Sequence, residues 1–508
     1  MNLIRELYSR RDPNGVVLIE PGGRSFATAE ALEQTRRYAA ALHQLGVRPG
    51  DRVSFKLEKA PEVVFLAHAC IQIGAVLHPL NTGYTDVEID YLLDDAEPAL
   101  LVCEPGEATR FEGMGRVGRR LETLSVHGGG TLGARAARAR RREEIAELDG
   151  DATAAILYTS GTTGKPKGAK ITHRNLAESA RALASVWRLG TADVLLHALP
   201  IYHAHGLLTS INTVWVSGGA LLFLPRFDAA EVIAQLSVTT AMMGVPTHYA
   251  RLLREPAFAA ALTPAFRLVI SGSAPLPQAL AAEFEARTGR EIIERYGSTE
   301  AAIVTAVPAG TKGRSGWVGW PLPGVEVRVT TSSGSQESRA AAGILETRGH
   351  NVFAGYWKNG EADPEAFTAD GWFVTGDIAE IDDLGCVRLL GRAKDLIISG
   401  GLNVYPREIE AVLDTLQGVA ESAVFAAPHA DFGEAVVAAV ELEPNAAFDE
   451  AAALAMLRTK LAAFKLPKRI VAIDAIPRNV MGKVLKGELR AKHRNLFVPP
   501  ECNSTKEA

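Results

Sequence analysis

Over roughly the first 310 residues, short runs of Val, Ile, Leu and Met alternate with longer Ala-rich stretches of helical spacing. The runs DVLLHALP, GALLFLP, TAMMGVP and FRLVISG are apolar without alternation, and each leads into a helical pattern. That order predicts parallel sheets covered by helices on both faces. VVFLAHACIQIGAVLHPL reads as a buried helix followed by a strand, because His68, Gln72 and His78 interrupt it and it is too short to span a bilayer. From about residue 310 the runs shorten and fill with glycine (VGWPLPGVEVRV, GILETRG, WFVTGDIAEID, CVRLLGR), which predicts a small antiparallel, barrel-like subdomain. Beyond GRAKDLIISGG, the segments EIEAVLDTL, ESAVFAAP, EAVVAAVEL, AALAMLRTKLAAF and RIVAIDAIP predict a compact α+β unit. The expected fold is α/β. A large N-terminal domain, 1–392, holds two parallel-rich α/β sheets and the barrel-like subdomain, and a small α+β C-terminal domain covers 393–508.

Composition narrows the functional classes. The chain has 508 residues, 47% of them apolar, enough for large cores in two or more domains. A net charge of −5 gives no general attraction to nucleic acid or anionic membrane. The densest basic run, GARAARARRREE, reads as a solvated helix face. Cys70, Cys103, Cys386 and Cys502 lie far apart without a CxxC pair, so neither a disulfide framework nor structural zinc is expected, and a reducing cytosol fits. The N-terminal MNLIRELYSRRDPNG has no long apolar core, so no signal peptide is expected, and the final KEA is not a peroxisomal SKL address. The expected location is cytoplasmic, without membrane insertion.

The chemistry begins at YTSGTTGKPKGAKITH, residues 158 to 173. An apolar run precedes it and a helical pattern follows. The arrangement strand, Gly-rich loop, helix suits a polyanion held by backbone amides, hydroxyls and two lysines. It is not a Walker A loop, since Pro166 follows Gly164-Lys165 where Ser or Thr is needed.

Further segments follow in order: PIYHAHG, GVPTHYARLL, ISGSAPLP, ERYGSTEA, VTGDIAEID, GRAKDLIISGGLNVYPREIE and PRNVMGKVLKGEL. Together with the loop they resemble the adenylate-forming superfamily of acyl-CoA synthetases, luciferases and nonribosomal adenylation domains. HALPIYHAHGLL, GVPTHYARLL and PHADFGE look most like malonyl-CoA synthetases. The resemblance implies an ATP-dependent acid–thiol ligase that forms an acyl-adenylate with release of pyrophosphate, then passes the acyl group to coenzyme A with release of AMP. It implies Mg2+ as cofactor, a monomer or homodimer, and a small domain that is mobile.

The resemblance also implies site residues. Thr159, Ser160, Gly161, Thr162, Thr163, Gly164, Lys165 and Lys167 embrace the β- and γ-phosphates. Thr299 contacts the α-phosphate and Glu300 holds Mg2+, a hard cation suited to carboxylate oxygen. Gly272, Ser273, Ala274 and Pro275 line the adenine and acyl pocket. Tyr296 stacks on the base, and Glu294, Arg295, Gly297 and Ser298 complete that segment of the nucleotide site. Asp377 and Arg392 hold the ribose. Lys483 reaches the reacting carboxylate and α-phosphate, Lys394 is the hinge, and Gly400 and Gly401 face the CoA channel. His203 gates the pocket. The HxH pair His203 and His205 alternates along an extended segment with no third metal ligand at useful spacing; His205 and His197 read as pocket or core histidines.

The acid is read from Arg251, which follows the apolar run AMMGVPTHYA. A guanidinium inside a pocket needs an anion, and the second carboxylate of malonate would supply one. The other reading is a surface Arg paired with Glu255 four residues on. Ser271 joins the acid site. Ser298 stands where the resembled enzymes carry Met, leaving room for methylmalonate or another acid. A CoA ligase for a monocarboxylic, larger or aryl acid, and a stand-alone enzyme loading a carrier protein, remain open.

Overall fold

The computed structural model describes residues 1–508 except 10, 113, 115–119, 161–165, 332–341, 359–365, 400–401, 430, 480–481 and 498–508. A nine-stranded sheet runs, edge to edge, through Trp320–Pro321, Ala302–Ala306, Ile293–Ser298, Leu268–Ser271, Ala241–Gly244, Val194–His197, Ala220–Phe223, Val16–Ile19 and Ser25–Ala27. Its centre is parallel, from Ile293–Ser298 to Val16–Ile19, and four of these six strands are the four apolar runs of the sequence. These strands have no polar face because both faces are buried. Leu195, Met243 and Ile270 enter one core while their neighbours Leu196, Met242 and Val269 enter a second core on the other side.

A six-stranded sheet has the order Arg120–Thr123, Leu100–Cys103, Arg52–Lys56, Val76–Pro79, Thr153–Ser160, Pro166–Thr172. All its pairings are parallel except the last. That exception corrects the expected strand–loop–helix reading. The chain after the Gly-rich loop returns as an antiparallel strand with Thr159 opposite Lys167, and the helix His173–Val186 starts only afterwards. Lys167 to Ile171 can pair this way because Ala169 and Ile171 are buried and Gly168 is small; a Cβ there would lie 2.7 Å from Ile156 Cγ2. The helix N-terminus therefore follows the end of this strand opposite to Pro166.

Val325–Thr330, Gly343–Gly349, Phe373–Ile381 and Val387–Arg392 form the expected small antiparallel sheet, in simple sequential order. From Ile397 onward a five-stranded sheet carries the helices Pro406–Leu413, Glu450–Lys460 and Lys486–His493. Its two cores draw on no residue before Ile397, whereas the main core ends at Leu389.

The helix Pro61–Ile73 and strand Val76–Pro79 are buried throughout, as expected, and their polar side chains find partners. His68 bonds to the Tyr8 hydroxyl, Gln72 donates to the Arg142 and Glu144 carbonyls, and His78 bonds to Ser54. Within the basic run, Arg135 pairs with Glu122, Arg141 with Glu143 and Arg142 with Glu144. Cys70, Cys103 and Cys386 are buried thiols. Among the described residues no helix is long and apolar enough to cross a membrane.

Candidate active site

Strand register builds the site. Met243 lies beside His197, Gly244 beside Ser271, and Ser271 beside Glu294, so the carboxyl ends of four adjacent parallel strands form one row. Open α/β sheets bind ligands at this end. PIYHAHG crosses the row and winds into a wide π-helical turn, Ala204–Ser210, a deviation often tied to function. Only glycine fits at 206, where a Cβ would lie 2.0 Å from the Pro200 carbonyl oxygen. The HxH pair is thus not extended: His203 caps the turn and His205 lies within it. Among the described residues no cluster of three metal-ligating side chains exists.

His205 is 4% exposed, and its Nδ1 lies 3.1 Å from Ser273 Oγ. Ser273 holds φ +70°, strained for a side-chain-bearing residue, and its Oγ lies 3.4 Å from Arg295 Nη2. Gly272 makes room for that guanidinium, since a Cβ there would lie 2.4 Å from Arg295 Nε. Arg295 is 7% exposed, and burial pushes its pKa down to about 10. No carboxylate pairs with it among the described residues. Burial also pushes His203 down to about 4 and His205 well below its ordinary value, so both imidazoles are neutral at pH 7. Ser271 Oγ, His203 Nε2, His205 Nε2 and Arg295 Nε are buried without a partner. Buried polar atoms are seldom left so, and those of His203, His205 and Arg295 together form a surface suited to a polar ligand.

Glu294 points away from this cluster and accepts from the Gly316 amide at 3.0 Å. Burial pushes its carboxyl up to about 7, against the opposing pull of Arg407. A carboxyl raised this way takes up its proton more readily in the folded chain, so stability falls as pH rises from the ordinary carboxylate range through 7. Glu294→Gln keeps an acceptor for Gly316 and removes the charge. Its melting temperature relative to the parent is expected to rise by about 2–4 °C between pH 5 and pH 8, read by thermal denaturation. A difference independent of pH would refute the assignment.

The segment RYGSTE is a strand followed by a tight return into Ala302–Ala306, not a helix cap. Gly297 is required, because a Cβ would lie 1.8 Å from the Ala302 carbonyl oxygen. Ser298 Oγ accepts from the Ala301 amide at 3.0 Å, so its hydroxyl serves the turn. Thr299 lines a small pocket together with His203, Tyr202 and Tyr158. Glu300 Oε1 accepts from Thr159 Oγ1 at 3.0 Å and from the Tyr356 hydroxyl at 3.2 Å, and Lys167 Nζ lies 5.2 Å from the Tyr356 ring centroid. Tyr296 is 7% exposed and donates to Asp377 Oδ2 at 2.5 Å, while Arg392 Nε meets Asp377 Oδ1 at 2.8 Å. Burial raises the Asp377 carboxyl above its ordinary value and Arg392 opposes that shift. Ala274 and Pro275 continue the Ser273 loop. The expectations for Gly161, Thr162, Thr163, Gly164, Lys165, Gly400 and Gly401 fall outside the described residues, as does the side chain of Ser160.

Lys483 lies on the loop between Asn479 and the helix Lys486–His493. A Cβ at Gly482 would lie 3.2 Å from Thr247 Cγ2, so this loop packs against the start of the helix Pro246–Arg254 beside the acid row. Desolvation, then Arg392 and Lys394, lower the Lys483 pKa, and Asp377 opposes them. The ammonium and the Asp377–Arg392 pair thus share one electrostatic neighbourhood.

Arg251 needs correction. It is exposed on Pro246–Arg254, whose buried face is Pro246, Tyr249, Leu252 and Leu253. The pocket argument does not apply to a solvated guanidinium. The alternative fails too: Glu255 already leaves the helix, and no Arg251–Glu255 ion pair occurs among the described residues. Sequence reasoning also missed Tyr356. Tyr356 sits in the aromatic, glycine-bearing NVFAGYW segment, whose composition could have flagged it.

Residues 6–357 match the family described as AMP-binding enzyme, and residues 408–483 match the AMP-binding enzyme C-terminal domain. The crystal structure of ATP-bound MatB from Rhodopseudomonas palustris superposes with a TM-score of 0.95 at 43% identity, covering 98% of this chain and 99% of that one. A feruloyl-CoA synthase from Amycolatopsis sp. is 32% identical over 95% of this chain and 97% of its own length. The mitochondrial malonate–CoA ligase ACSF3 of Mus musculus is 33% identical over 87% of this chain and 82% of its own. With the row of strand ends, the RYGSTE turn and the Asp377–Arg392 pair in place, the chain belongs to the AMP-binding enzyme family.

Proposed function

We propose that this chain, an AMP-forming acyl-CoA ligase, activates a small dicarboxylic acid, malonate or a 2-substituted malonate. The observation that carries the reading is Arg295, a buried guanidinium beside Ser273 and near His205 that lacks a carboxylate partner among the described residues. Leaving a buried charge unpaired is unfavourable by several kcal/mol, and about 3–5 kcal/mol separates paired from broken buried pairs. The free carboxylate of a dicarboxylic acid would complete it with two parallel hydrogen bonds. Arg295 takes the clamping task first assigned to Arg251. The malonate–CoA ligase relative supports this acid; the feruloyl-CoA synthase relative, at similar identity, makes the pocket rather than overall likeness the deciding feature. Ser298 is short and already bonded to Ala301, so it leaves space for a substituent on the acid.

In this reading ATP lies over the RYGSTE turn, with its ribose hydroxyls on Asp377 and Arg392. Thr159 and Lys167 face the phosphates from the antiparallel return. The Glu300 carboxylate and the Thr159 hydroxyl are hard oxygen donors in contact, a set that fits Mg2+. Mg2+ would neutralise phosphate charge. Lys483 offsets the negative charge that gathers when the carboxylate attacks the α-phosphate. Neutral His203 borders the reacting carboxylate without adding a competing charge. The thiol of CoA then displaces AMP. We divide the chain at 392/393, where the cores part, with Lys394 in the turn Ala393–Asp395 as the pivot.

The test is acyl-CoA formation with ATP, Mg2+ and CoA, read by mass spectrometry on a competing panel of malonate, methylmalonate, succinate, acetate, butyrate, octanoate and benzoate. Malonyl-CoA or methylmalonyl-CoA should dominate. A dominant monocarboxylic product would overturn the dicarboxylate reading.

A further inference from the structure

Residues 351–357 run between the RYGSTE turn and the strand Pro166–Thr172 and bond to both. On the side of the turn, the Phe353 amide donates to the Glu300 carbonyl at 2.8 Å and Asn351 Nδ2 to the Ala301 carbonyl at 2.9 Å. On the side of the strand, Tyr356 forms an antiparallel bridge with Ala169, and the Trp357 amide donates to the Gly168 carbonyl at 2.7 Å. The Trp357 indole donates to the Asp95 carbonyl at 3.0 Å, and the Asp95 carboxylate accepts from the Tyr158 hydroxyl at 2.5 Å. The backbone that carries Tyr356 is thus fixed on both sides. The Tyr356 ring packs edge-on against Phe353, with centroids 4.9 Å apart, in a cluster shared with Phe367 and Phe373. A ring kept for this packing alone would serve as phenylalanine, as its neighbours do. Its hydroxyl instead lies 3.2 Å from Glu300 Oε1, the same oxygen that Thr159 Oγ1 reaches at 3.0 Å. Lys167 Nζ lies 5.2 Å from the ring centroid, within reach of cation–π attraction.

Both donors on Glu300 are neutral hydroxyls, and both sit on one oxygen. They orient the carboxylate without cancelling its charge, and among the described residues no hydrogen bond reaches Oε2. A partner that holds a metal-binding carboxylate in this way sets its orientation and its affinity. We propose that Tyr356 is a positioning residue for adenylation, whose hydroxyl holds one oxygen of Glu300 so that the other is presented to the divalent cation carried in with ATP. The same ring lies against Lys167, so the carboxylate that takes the cation and the ammonium that faces the phosphates are placed by one side chain. The inference rests on the reading of Glu300 as the metal's ligand and deepens it.

The experiment is calorimetric titration of the full chain with ATP, without acid or CoA, once with Mg2+ and once with EDTA. The readout is the gain in ATP affinity that Mg2+ brings, and no turnover is needed. Tyr356→Phe keeps the ring, its packing and its face toward Lys167, so binding in EDTA should match the parent. The Mg2+-dependent gain should fall by about tenfold, the lower end of the loss expected when the partner of a metal-binding carboxylate is removed. Glu300→Gln should lose the gain outright, and adding Tyr356→Phe to it should change nothing further, because the two residues act as one unit. An unchanged gain in Tyr356→Phe, equal weakening with Mg2+ and with EDTA, or effects that add in the double variant would each overturn the proposal; equal weakening would make Tyr356 a structural residue. If the parent shows no gain with Mg2+, or Glu300→Gln keeps it, the reading of Glu300 as the metal's ligand fails first, and the role of Tyr356 with it.

Discussion

Lys483→Ala is expected to slow acid-dependent pyrophosphate release by about 10²–10³-fold, the scale of losing one well-placed donor to a developing charge. Transfer to CoA from supplied acyl-adenylate should stay within about twofold. The expectation follows from where the ammonium sits. Its loop packs on Thr247, and burial, Arg392 and Lys394 all weigh against its charged form while Asp377 favours it. A reacting carboxylate and α-phosphate would supply the missing negative charge. Stopped-flow pyrophosphate release and thioester formation read the two steps separately. Equal loss of both would show that Lys483 holds the small unit in place and takes no part in adenylation.

Arg295→Met is expected to lower kcat/KM for malonate by about 10²–10³-fold, from the roughly 3–5 kcal/mol that a broken buried pair represents. For a monocarboxylic acid of similar size the loss should be much smaller, and the variant should fold at least as well as the parent, because an uncompensated buried cation has been removed. Equal losses for both acids would return Arg295 to the nucleotide site, where the sequence first suggested it. Steady-state kinetics with both acids, alongside the KM for ATP, decides between them.

The difference between Arg251 and Arg295 shows what a sequence can and cannot carry. Both arginines follow apolar runs. Arg251 falls on a helix of which one side is buried and the other solvated, and linear context does not say which side it takes. Arg295 lies within the strand Ile293–Ser298, whose neighbours bury it, and that depends on Leu268–Ser271 and Ala302–Ala306 lying beside it. The four central strands were legible because burial on both faces leaves no polar alternation to confuse them. The return of the Gly-rich loop as a strand was not, since Lys167 and Lys170 alternate with small and apolar residues in a run equally compatible with a helix entrance. The motifs around Thr299, Glu300, Asp377 and Arg392 could be read because each is short and local. What they contact, such as Tyr356 on Glu300, is set by the tertiary fold.

Asp377 and Arg392 face each other across two neighbouring strands, and the chain passes from Arg392 straight into the turn Ala393–Asp395. Asp377 is fixed from behind by Tyr296, whereas Arg392 is a third exposed and sits at the end of its strand. A torque applied through the small unit therefore reaches Arg392 first, with the strand pair as fulcrum. On the proposed reading, in which this pair holds the ribose and the small unit turns, the grip on the ribose and the angle of the small unit become one mechanical variable. Substitutions in this strand pair cannot then tune the rate of nucleotide release and the rate of reorientation independently; the two should rise and fall together.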